Sequence, residues 1–148
     1  MRPLTRAILW GGVLAGTGDL VFALGYYGPQ PRVFQTVAAG LIGREAAFGG
    51  GAATFALGVL LHYGIALIWA GLFCAAALWR PALLRAATAA GLAYGLLVYF
   101  GMNNVVLPLS ALQTPAWPPR LDAAALAAHC FLFGWPIALA ARRCQPPG

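Results

Sequence analysis

Four apolar stretches, over about 7–27, 51–79, 83–107 and 122–141, dominate this chain and limit what it can fold into. Each reaches the roughly 20 residues that a helix needs to cross about 30 Å of hydrocarbon. A water-soluble globule would need polar cover that the rest of the chain lacks. Of 148 residues, 61% are hydrophobic and only 8% are charged, against roughly 25% charged in ordinary soluble domains. Disorder is excluded on the same grounds, since it requires low hydrophobicity and high net charge. The expected fold is therefore all-α, a polytopic four-transmembrane-helix bundle, with residues 1–148 read as a single transmembrane domain.

The few charges fall where orientation needs them. All nine basic residues are arginines and the acids are Asp19, Glu45 and Asp122. Arg2, Arg6, Arg80, Arg85, Arg142 and Arg143 fall at one side of the expected spans, and Arg32, Arg44 and Arg120 at the other. Six against three predicts both termini in the cytoplasm. Trp10, Trp79 and Trp135 fit an inner interfacial belt, and Tyr26, Tyr27 and Trp117 an outer one. The arginines are scattered and form no basic stripe, so the net charge of +6 does not indicate nucleic acid. Arg2 and Arg6 before an apolar run, with Val21-Phe22-Ala23 after it, raise the possibility of a signal peptide. Asp19 and the glycines around it weaken that apolar core, and the run is expected to remain as a span.

Between the first two spans, the segment of about 33–48 is too short to cross. Tyr27-Gly28-Pro29-Gln30-Pro31-Arg32 makes a turn, and the apolar residues after it are expected to form a short helix. It either lies at the outer interface or re-enters the membrane, with the interfacial placement preferred. Pro81, Pro108 and the Pro115/Pro118/Pro119 cluster mark span ends.

Polar residues inside the spans lie on stripes of small residues, which is where membrane helices meet. Gly12, Gly16, Asp19 and Ala23 share one face of the first span, and Gly58, His62, Ala66 and Ala70 one face of the second. Ala87, Gly91, Gly95, Tyr99 and Asn103 repeat along the third, and Asp122, Ala125, His129 and Phe133 share a face of the fourth. This directs Asp19, His62, Asn103 and His129 inward, as a candidate ligand, ion or proton site in the outer half of the bundle. Asp19 stands out, because an ionisable acid at mid-membrane is costly and marks function by default. The bland alternative is that the cluster ties helices together, each hydrogen bond contributing around 0.6 kcal/mol.

Other chemistry is less well supported. His62 and His129 lie at similar depths on spans running the same way, so they are candidate ligands for haem b or, with Asp19, for a metal ion. No cofactor is the preferred expectation. Cys74, Cys130 and Cys144 form no CxxC, and no disulfide framework is implied. No HExxH, GxSxG or P-loop pattern is present, which argues against soluble-type hydrolase or nucleotide chemistry. Asn103-Asn104 ahead of Pro108 reads either as an unwound helix end offering polar groups to a ligand, or as a proline-terminated helix whose freed carbonyls the asparagine satisfies. The Gly12/Gly16 and Gly91/Gly95 faces suit internal packing or a homo-oligomer.

Four segments together carry a resemblance. Gly16-Thr17-Gly18-Asp19, the run from Tyr27 to Gln35, Leu61-His62-Tyr63 and the run from Met102 to Ser110 resemble a family of small four-helix proteins of the bacterial inner membrane. The resemblance implies four spans and an inner-membrane address, and it implies no activity. The expected function is transport of an ion, proton or small solute through the Asp19, His62, Asn103 and His129 cluster. A haem or metal redox protein and a non-catalytic accessory subunit are the alternatives, and an enzymatic role is not expected.

Overall fold

The computed structural model describes residues 1–114 and 121–144. Trp117, Arg120 and the Pro115/Pro118/Pro119 cluster, assigned above to the outer end, lie outside the described residues. The described chain is an all-α four-helix bundle. Helix α1 covers Pro3–Tyr27, α2 Arg32–Ile42, α3 Arg44–Gly49, α4 Gly51–Trp79 and α5 Ala82–Arg85. Then follow α6 at Ala87–Gly101, the π-helical segment π1 at Met102–Val106, and α7 at Leu107–Leu109. The last rod is α8 at Ala123–Ala128, the π-helical segment π2 at His129–Gly134, and α9 at Trp135–Cys144. Four rods among the described residues are long and apolar enough to cross a membrane: Pro3–Tyr27, Gly51–Trp79, Ala87–Leu109 and Ala123–Cys144. Large apolar side chains such as Leu60, Ile68 and Val21 stand exposed on their outer faces, at 71%, 64% and 64%. Water would penalise such a surface, and lipid would not.

Glycine sets the register. Gly12 of α1 meets Leu67 of α4, and Gly16 meets Tyr63 and Ala66. Gly11 meets Ile137 and Ala140 of α9, while Gly18 meets the Leu132 carbonyl of π2. Rising numbers on α1 pair with falling numbers on both partners, so each contact is antiparallel. Gly91 packs on Trp135 and Ala138, and Gly95 on the backbone of His129 and Cys130. The Gly12/Gly16 and Gly91/Gly95 faces are thus occupied within the chain.

The fourth side of the bundle is built differently. Between α4 and α6, aromatic side chains replace glycines: Tyr94 donates from its hydroxyl to the Trp69 carbonyl at 2.6 Å. Its ring meets Trp69 and Phe73 edge-on, at centroid distances of 6.1 and 5.0 Å. Below this layer, toward both termini, the core is filled by Ala7, Cys74, Ala77, Ile137, Ala138 and Ala141.

Helix α2 closes the end of the bundle away from both termini, against α4. Phe34, Gln35, Ala38 and Ala39 are its buried face, and the Phe34 backbone fills the space that a side chain on Gly58 would need. Gln35 donates to Thr54 Oγ1 at 3.3 Å, and Thr54 donates to the Ala47 carbonyl of α3 at 2.6 Å. At its other end, the Gly40 carbonyl accepts from the Ala111 amide at 2.8 Å. The expected interfacial segment of 33–48 is therefore two helices, broken at Gly43 with φ of 81°, and α2 is clamped at both ends.

The π segments share one cause. Each ends two residues before a proline, Pro108 or Pro136, and the Leu107 and Trp135 amides bond carbonyls five residues back, on Met102 and Cys130. Proline lacks an N–H, and its ring collides with the carbonyl four residues back in an α-helix. A widened turn relieves that collision. Pro108 accordingly does not end the third span, which runs on to Leu109.

Candidate functional site

Above the aromatic layer the rods border a half-open cavity of about 150 Å³. Asp19 from α1, His62 from α4 and His129 from π2 all line it, together with Val37 of α2, Ile65, Trp69, Val98, Met102 and Phe133. Three of the four polar residues read from the sequence meet here. Asp19 lies eight residues below the outer end of α1, about 12 Å at 1.5 Å per residue. Small residues one turn away allow this approach, because Gly16 and Gly18 bring α4 and π2 against α1 on either side of the carboxylate.

Each polar group has a defined partner. His62 Nε2 donates to the Gly16 carbonyl at 2.8 Å, which fixes its proton on Nε2 and ties α4 to α1. His129 Nδ1 donates to the Ala125 carbonyl at 2.8 Å. The same nitrogen lies 3.9 Å from Asp19 Oδ1, just beyond hydrogen-bond length. His129 thus stands between two acceptors, and a small swing of the ring exchanges one for the other. The Tyr99 ring meets His129 edge-on at 5.4 Å, and its hydroxyl accepts from the Asp122 amide at 2.9 Å. Asp122 caps α8 by accepting from the Ala124 and Ala125 amides at 3.0 Å each, the usual role of an aspartate at a helix start.

Asn103 does not join the cavity. Its amide donates to the Tyr99 carbonyl on its own helix at 2.8 Å, so it satisfies backbone at the start of π1. Met102 contributes lining that the polar-residue reading passed over, and Phe133 lines the cavity from the face it shares with His129. Their signal in the sequence is the spacing to Pro108 and Pro136, because the widened turns before those prolines carry Met102, His129 and Phe133.

The cofactor alternatives fare poorly on fit. A water occupies about 30 Å³ of liquid, so the cavity suits a few waters or a small ion and is far too small for a porphyrin. The Nε2 of His62, a usual iron-binding nitrogen, is engaged by Gly16. Among the described residues no group of three or more His, Cys, Asp or Glu is arranged to hold a metal ion.

Compared with protein-family models, curated proteins and solved structures, the chain matches none of them.

Proposed function

We propose that this chain is a multi-pass protein of a bacterial inner membrane, with both termini cytoplasmic, whose Asp19–His129 pair carries a proton during transport of an ion or small solute. One observation carries the reading: a carboxylate and an imidazole face each other at 3.9 Å in a small cavity among four apolar rods. Ionisable groups at such depth pair with one another and mark proton or ion pathways. The alternation of His129 between the Ala125 carbonyl and Asp19 supplies the movable donor. The excess of arginine at the end bearing both termini supports the orientation.

The test is direct. Protein reconstituted in liposomes with internal pyranine is given a valinomycin-driven potential, and internal pH is followed. Wild type is expected to pass protons, and Asp19→Asn is expected to lose at least about tenfold of that flux while keeping its melting temperature. A second reading, an accessory subunit whose polar groups only join helices, is favoured by the His62 bond to Gly16 across α1 and α4. It requires unchanged flux and a lower melting temperature in Asp19→Asn, and that result would overturn the transport reading.

A further inference from the structure

A second cavity lies apart from the Asp19 site. Between the outer end of α1 and the first turns of α2, a space of about 430 Å³ is lined by Ala23, Tyr27, Gln30, Arg32, Val33 and Thr36. Phe22, Tyr26 and Tyr27 form an aromatic group beside it, with centroid distances of 5.1 and 4.9 Å. Aromatic side chains concentrate at the headgroup level of a bilayer, so the cavity sits at the depth of lipid phosphates.

Charge balance gives it a ligand class. The chain has three acidic side chains against nine basic ones, and each acid is placed elsewhere. Asp19 faces His129, Asp122 caps α8, and Glu45 shares a different surface hollow with Arg44. Among the described residues no carboxylate pairs with Arg32. The Phe48 ring lies 5.9 Å from its guanidinium carbon, and stacking on a face leaves the in-plane N–H donors available. The first amides of α2 are already bonded, Val33 to the Gln30 carbonyl at 3.1 Å and Phe34 to the Pro31 carbonyl at 3.2 Å. Recognition therefore falls to side chains, and a guanidinium fork matches the geometry of a phosphate or carboxylate.

We propose that this cavity binds an oxyanion, with Arg32 as the paired charge and the Gln30 amide and Tyr27 hydroxyl as neutral donors. The group is either the phosphate of an anionic lipid or a small free anion. Delipidated protein in detergent is titrated by calorimetry with inorganic phosphate, with acetate and with short-chain phosphatidylglycerol. Saturable binding that weakens about tenfold or more in Arg32→Gln, with no comparable loss in Arg44→Gln, supports the site. A response to phosphate or acetate identifies a free anion, and a response to the lipid alone identifies the headgroup. No saturable binding of any titrant, or equal loss in both arginine variants, overturns the proposal. Gln30→Ala and Tyr27→Phe keep the charge, so unchanged affinity in both also overturns the cavity assignment.

Discussion

Gly95 has no side chain, and the His129 carbonyl occupies the space where one would stand. Gly134 meets Gly91 and Gly95 in the same way, so α6 and π2 touch backbone to backbone. A methyl group at Gly95 must push the rods apart, and overpacking of this kind costs about 1–3 kcal/mol. Gly64 and Gly71 of α4 have nothing within 4 Å of the same position. Thermal melts in one detergent are expected to show a clear loss for Gly95→Ala, and no loss for Gly64→Ala or Gly71→Ala, where alanine is the better helix former by about 0.5–1 kcal/mol. Equal effects at the three positions would show that the stripe is not the contact. The stripes also explain which polar residues could be read from the sequence. Asp19, His62 and His129 follow small residues into the interior, so their shared inward face was legible from three- and four-residue spacing. Asn103 follows the same spacing, but its short amide reaches the Tyr99 carbonyl first, and a local hydrogen bond of that kind leaves no trace in periodicity.

At the scale of elements, the two prolines matter more than hydropathy could reveal. Span lengths and their apolar character were legible because they follow from membrane thickness. The widened turns were not, because hydropathy treats a π turn and an α turn alike. Pro136 lies inside the fourth rod, and its consequence reaches about two turns back, where His129 begins π2. Pro136→Ala restores the N–H and removes the ring collision, so this turn can return to α geometry and rotate His129 relative to Asp19. With ¹⁵N-labelled histidine, the His129 ring signals are expected to move while those of His62 stay. Proton flux is expected to fall, with a melting temperature equal to or above wild type. Unmoved His129 signals would show that the π segment is held by packing against α6 and not by the proline.

For the whole molecule, the asymmetry between its two halves constrains the transport proposed above. The polar cavity lies in the half away from both termini, and the layer of Trp69, Phe73 and Tyr94 closes it below. Beneath that layer Ala77 and Ile137 are almost fully buried, at 2% and 0% exposure. Among the described residues no continuous pore is therefore open in this conformation, and under the proposed transport an ion must wait for the half bearing the termini to part. Between the cavity and the outer face stands α2, whose Val37 lines the cavity and whose neighbour Thr36 lines the Arg32 space. Accessibility separates the two halves. In a chain with Cys74, Cys130 and Cys144 replaced, Val37→Cys is expected to react with a membrane-impermeant maleimide added to intact cells, and Ile137→Cys to stay unlabelled from either face. Labelling of the Val37→Cys protein only in inverted vesicles would reverse the orientation drawn from the arginines, while labelling of the Ile137→Cys protein from the cytoplasmic side would show that the lower layer opens at rest. The geometry favours neither: the aromatic layer is fixed by the Tyr94 hydrogen bond to α4, whereas the outer cavity is covered by a single short helix.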